Sequence, residues 1–144
     1  MQIKDCMCNS ICYCKPNATI GDVARTMEKN HIGCMPVCDD SNKLVGIITD
    51  RDIVLRAIAN NKGNNTKVSE IMTTDTVSCD CNTELIEASK TMRKEQIRRI
   101  PVTENGRLVG MLTLGDLAKN TQINNEFVGF TAECICLNNE KNAE

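Results

Sequence analysis

Two tetrads hold the residues best placed for chemistry: Thr49-Asp50-Arg51-Asp52 and Thr113-Leu114-Gly115-Asp116. Each sets a hydroxyl three residues ahead of a carboxylate, directly after an apolar run. Two chemistries fit this spacing. At a helix start, the threonine and the acidic residue satisfy each other's backbone N–H groups, forming a capping box. The same pair can serve a ligand, because the N–H donors of a helix start attract an anion and a carboxylate accepts hydrogen bonds from hydroxyls. The spacing alone is compatible with both.

The tetrads recur because the chain is internally duplicated. A shift of 65 positions matches Met7 with Met72, Cys14 with Cys79, Thr26-Met27 with Thr91-Met92, and Pro36-Val37 with Pro101-Val102. After one deleted residue, a shift of 64 matches Leu44-Val45-Gly46 with Leu108-Val109-Gly110, and Thr49 and Asp52 with Thr113 and Asp116. Self-similarity that keeps its order marks a repeat.

Each copy predicts the same elements. Ile20, Val23, Ala24 and Met27, and in the second copy Leu85, Ala88, Ser89 and Met92, lie on one helix face. A short strand then ends at the proline (GCMPVC, RRIPVT), followed by a turn rich in Asp, Asn and Gly, a second strand (KLVGIIT, RLVGMLT) and a second helix. With opening strands near Ile11 to Cys14 and Thr76 to Cys79, the order is β-α-β-β-α twice, an α/β (α+β) fold. The repeats are expected over 5–60 and 69–122, with a polar linker at 61–68 and a tail at 123–144. One such unit is too small to bury a sufficient core alone, so the copies are expected to pack together with pseudo-twofold symmetry.

Composition excludes several functions. Among 144 residues the 17 basic and 19 acidic side chains form no basic stripe, and with no Trp, one Tyr and two Phe there are few stacking platforms. Nucleic acid is therefore not an expected partner. No apolar run reaches the ~20 residues of a membrane span. The start MQIKDCMCNS carries no signal-type stretch, so a cytoplasmic protein is expected. G-x-S-x-G, a P-loop and H-E-x-x-H are all missing and there is one histidine, so no enzyme activity is expected. His31, at the equivalent of Gln96, reads as a helix-end residue.

Tandem β-α-β-β-α repeats, each with a "PV" strand, an "LVG" strand and a closing T-x-x-D, resemble a pair of CBS domains, the Bateman module. The resemblance covers about residues 5 to 122 and is nearest to small stand-alone bacterial CBS pairs, including hypoxic response proteins. It implies a non-catalytic sensor that binds AMP, ADP or ATP, or S-adenosylmethionine in some members, with no obligatory cofactor. It also implies a homodimer through the repeat helices, with room for an unidentified protein partner.

The resemblance further implies that each cleft joins the T-x-x-D of one repeat to the pre-proline strand of the other. The first cleft would comprise Thr49, Arg51, Asp52, Val77, Ile97, Arg98, Arg99, Ile100 and Pro101. The second would comprise Cys12, Ile32, Gly33, Cys34, Met35, Pro36, Thr113 and Asp116. Arg98 and Arg99 offer forked donors to a phosphate. Gly33 and Cys34 offer none, so the first cleft is expected to be the stronger.

Ten cysteines, mostly as C-x-C, complete the picture. The spacing is not that of a zinc knuckle, and buried cysteine behaves as a small hydrophobe. A structural role is expected, with no metal. The alternative is a metal- or redox-responsive protein with empty clefts, its metal held by Cys6, Cys8, Cys134 and Cys136 near the two ends.

Overall fold

The computed structural model describes residues 1–120, 128–129 and 131–136. In each copy an amphipathic helix comes first. α1 (Ile20–Asn30) starts where the Thr19 hydroxyl accepts the Asp22 N–H at 3.2 Å, and it buries Ile20, Val23 and Met27. Ala24, expected on that face, is exposed. α4 (Leu85–Glu95) buries Leu85, Ala88, Ser89 and Met92 as the periodicity predicts. Both helices end in a left-handed residue, His31 at φ 54° and Gln96 at φ 56°. His31 is thus an exposed helix terminator.

The expected hairpins follow. β1 (Cys34–Cys38) pairs antiparallel with β2 (Leu44–Thr49), and β4 (Arg99–Glu104) pairs with β5 (Arg107–Thr113). In the first turn the Asp39 carboxylate accepts the N–H groups of Ser41 and Lys43. Each opening strand is short: β3 (Cys79–Asp80) runs parallel to β4, and Cys14 makes a single parallel bridge to Val37.

The helices after the tetrads differ. After Thr49, α2 (Asp50–Asp52) widens into a π-helical turn, Ile53–Ala57, and closes as a 3-10 turn, Ile58–Asn60. After Thr113, α5 (Leu114–Lys119) is regular. α3 (Val68–Ile71), in the stretch joining the copies, had no periodic signal because four residues carry too little pattern.

The chain divides into two compact units, and these exchange their leading segments relative to the repeats. One unit comprises Met1–Ile11, Val77–Asn105 and Val109–Glu144; the other comprises Cys12–Thr76 and Gly106–Leu108. In the first unit Ile3 N–H donates to Thr83 O at 2.9 Å, and Cys8 and Met111 exchange both backbone bonds. Ile3 is fully buried among Leu85, Met92, Ile100, Leu112 and Leu117. In the second unit Ile47 and Thr73 exchange both bonds at 2.9 Å, and Val68 and Ile71 join Ile20, Val23, Met35 and Ile48. The matched methionines explain the matched glycines. A Cβ on Gly46 would fall 2.9 Å from Met72 Sδ, and one on Gly110 would overlap Met7 Sδ. Glycine lets the leading segment lie directly on the LVG strand.

Candidate functional site

Both tetrads form capping boxes. Thr49 N–H donates to Asp52 Oδ2 at 3.0 Å while Asp52 N–H donates to Thr49 Oγ1 at 3.1 Å. In the second copy Thr113 N–H and Oγ1 both donate to Asp116 Oδ2, at 2.8 and 2.9 Å, and Asp116 N–H returns to Thr113 Oγ1 at 3.1 Å. Asp52 Oδ1 also lies 3.6 Å from Arg56 Nε. The capping chemistry is therefore realised in both copies, each time through Oδ2. Asp52→Ala and Asp116→Ala should each cost the fold about 1 kcal/mol, read from urea unfolding. Losses near zero would show that the boxes hold nothing.

Around Thr113 the unit forms a hollow of about 440 Å³ lined by Arg98, Arg99, Thr113, Leu114, Gly115, Ala118 and Val128. Its frame is a backbone bond: Leu114 N–H donates to Arg98 O at 2.8 Å, tying the start of α5 to the strand that carries the arginines. Arg98 is exposed; Arg99 and Thr113 are half-buried. Two guanidinium groups and a hydroxyl thus share one hollow with the aliphatic Leu114, Ala118 and Val128. Its volume lies within the usual range for small-molecule sites.

The corresponding place in the other unit is differently furnished. Asp50 N–H donates to Gly33 O at 2.9 Å, matching the Leu114–Arg98 bond. A Cβ on Gly33 would fall 2.7 Å from Asp50 Oδ2, so the missing side chain leaves room for a carboxylate. Gly33 and Asp50 stand where the second copy has Arg98 and Leu114. The place thus sets a carboxylate and the Arg51 guanidinium where the second copy has Leu114 and Gly115, and lacks the arginine pair of Arg98 and Arg99.

Arg98 and Arg99, expected with Thr49, are thus brought together with Thr113 of their own repeat. The reason is the strand order: the residues before each proline strand bond to the helix start that follows the next strand of the same hairpin. Of the other candidates, Ile100 and Pro101 are buried, and Ile97 packs on the core of the first unit, where Val77 is half-buried. In the other unit Met35 and Pro36 are buried, Cys12 and Ile32 pack on its core, Cys34 is half-buried and Arg51 is exposed. Leu114, Gly115, Ala118 and Val128 were not foreseen. The offset from Thr113 could have suggested the first three, but Val128 lies outside the repeat and has no counterpart.

The cysteines all stand as thiols. Among the described residues no group of three or more His, Cys, Asp or Glu side chains is placed to hold a metal ion. Cys6, Cys8, Cys134 and Cys136 all belong to one unit, and no three of them are gathered. Cys8 is fixed against Met111, and the Cys134 carbonyl accepts a hydrogen bond from Gln96 Nε2. Burial, with a smaller contribution from Asp116, pushes the Cys6 thiol up.

Burial, with Cys38 adding to it, pushes Cys14 up to about 12 from an ordinary 9.0. A folded-state pKa above the unfolded one contributes stability that is intact below pH 9.0 and lost as pH rises toward about 12. Urea midpoints should therefore fall above pH 9, and Cys14→Ala should flatten the fall. At pH 8 a thiol reagent should reach the exposed Cys8 and Cys136 quickly, and the buried Cys14, Cys38 and Cys81 only on unfolding. Fast reaction of all ten would overturn this.

Comparison with known proteins agrees with the repeat. The CBS domain model matches residues 3–58 and 68–122. The chain is 42% identical over 127 residues to the CBS domain-containing protein YhcV of Bacillus subtilis, covering 88% of this chain and 89% of that protein. Among solved structures, Hypoxic Response Protein I with two coordinated zinc ions is similar at 31% identity and a TM-score of 0.77, over 83% of this chain and 98% of that one. The CBS domain pair of protein MJ0100, in complex with 5′-methylthioadenosine and S-adenosyl-L-methionine, is similar at 29% identity and a TM-score of 0.72, over 83% and 94%. With both copies of its duplication matched, this chain belongs to the CBS-domain family and carries two such domains in tandem.

Proposed function

We propose that this CBS pair is a non-catalytic regulatory protein that senses an adenosine nucleotide, AMP, ADP or ATP, in the Arg98–Thr113 hollow. One observation carries the reading: Arg98, Arg99 and the Thr113 hydroxyl share a hollow with the aliphatic Leu114, Ala118 and Val128. Guanidinium groups suit phosphate oxygens, and an aliphatic surface suits a purine face. That the MJ0100 pair holds adenosine-type ligands supports the nucleoside part of the assignment. The arginines favour a phosphate-bearing ligand over those two, which have none.

In this reading Asp116 also contacts the ribose, through the carboxylate oxygen that the cap leaves over. Asp116→Ala would then weaken AMP by tenfold or more, on the order of one or two hydrogen bonds. Unchanged affinity would leave the pair a cap alone. The Gly33–Asp50 place, with its carboxylate, is the weaker site for any anion. Calorimetry with AMP, ADP, ATP, NAD and S-adenosylmethionine tests the whole reading, and absence of heat with all of them would end it. Bound nucleotide should also raise the melting temperature.

The assembly proposed is a homodimer through the helix after Thr49, where Val54, Leu55 and Ile58 are 54, 47 and 57% exposed. Three large aliphatic side chains on one short helical stretch form a self-complementary patch suited to an isologous contact. Light scattering at micromolar concentration should give twice the chain mass, and Ile58→Asp should halve it. A monomeric wild type would refute the dimer. A cytoplasmic location is part of this proposal. Among the described residues no helix is long and apolar enough to cross a membrane.

A further inference from the structure

We propose that the segment beyond both repeats, carrying Val128 and the helical residues 131–136, forms one wall of the Arg98–Thr113 hollow, so that ligand binding and docking of this segment favour each other. The inference rests on the nucleotide reading of that hollow. Val128 lines it beside Leu114 and Ala118, and also packs on the core of the same unit. The following helix is anchored independently: Thr131 is fully buried and Ile135 is 2% exposed. Gln96 Nε2 donates to the Cys134 carbonyl at 3.4 Å. Gln96 is the left-handed residue ending α4, two positions before Arg98. The segment therefore touches the hollow at Val128 and, through Gln96, the turn that leads into the arginines.

The sign of the coupling follows from the room left. With Val128 in place the hollow still measures about 440 Å³, enough for a small-molecule ligand. Val128 is thus a wall and not a plug. A ligand held partly by Val128 binds the docked state more tightly than the undocked one. Docking then raises affinity and the ligand favours docking by the same factor. If undocked chains lack the wall, apparent affinity also scales with the docked fraction. The C-terminal segment would in this way report occupancy of the site to whatever binds it.

The test uses the full chain with AMP as the probe. In wild type, saturating AMP should slow amide hydrogen exchange across 131–136 by about fivefold or more, a coupling of ordinary size. Ile135→Ala, which removes an anchor and no residue of the hollow, should weaken AMP by a similar factor in calorimetry. Val128→Ala, which keeps Thr131, Ile135 and the Gln96 bond, should weaken AMP while quickening exchange of 131–136 in the unliganded protein less than Ile135→Ala does, and so holds the test if Ile135→Ala folds poorly. Measurable AMP binding with unaltered exchange in wild type, or with wild-type affinity in both variants, would overturn the linkage alone. No AMP binding to wild type would overturn the nucleotide reading, and the linkage with it.

Discussion

Arg99→Ala should weaken AMP binding about ten- to hundredfold, while adenosine, if it binds, should change by less than about twofold. Arg99 is half-buried in the hollow with Thr113. There its bond to a phosphate is charge-assisted and poorly screened, worth about 1.5–3 kcal/mol. Arg98, exposed at the same rim, should contribute less and lose more of its contribution to salt. Arg99→Lys should recover only part of the loss, because an ammonium cannot reproduce the planar fork. Calorimetry of AMP against adenosine, at two salt concentrations, reads all of this at once. Equal losses for AMP and adenosine would remove Arg99 from the phosphate and leave it a surface side chain.

The largest stability effect should come from a residue near the start of the chain. Ile3 is fully buried in the core that also holds Leu85, Met92 and Leu117. Ile3→Ala should cost about 2–5 kcal/mol, a large share of a typical domain's total. At this chain length the melting temperature should fall by about 6–15 °C. The loss should be local in origin: amide exchange should quicken first in Leu85–Glu95 and Val109–Thr113, before Cys34–Cys38. A melt indistinguishable from wild type would show that the first eleven residues do not complete this unit.

Much of this architecture was legible in the sequence, because the duplication supplied each element twice. The 3.6-residue period at Ile20–Val23–Met27 and Leu85–Ala88–Met92, the proline strands and the turns were read correctly. A self-match, however, reports which residues correspond and not which copy they pack in. Met7 matched Met72, yet nothing local shows that Met7 lies on Gly110 and Met72 on Gly46. Placing the arginines suffered from the same blindness. Their chemistry was plain, but the Leu114–Arg98 bond that sets them beside Thr113 is a tertiary fact. Val128 was out of reach for another reason: outside the repeat, a lone valine carries no pattern.

The exchange of leading segments also sets an order in which the chain can be made. Cys12–Thr76 is nearly a whole compact unit, lacking only Gly106–Leu108, so it is almost complete once its own stretch has left the ribosome. The other unit waits. Ile3 bonds to Thr83 and Lys4 to Cys81, partners that are synthesised 80 and 77 residues later. At about 5–20 residues per second, that gap lasts about 4–15 s. For that time Ile3 and Lys4 lack their partners in the second copy, and Met7 waits longer still for Gly110, while the unit encoded after them can fold. Ile3 and Lys4 are thus translated before Cys12–Thr76 and reach their native places after it. A nascent chain of this protein therefore carries Ile3 and Met7 unsheltered until the segments they pack on follow, and a chaperone that reads exposed apolar stretches would meet it there.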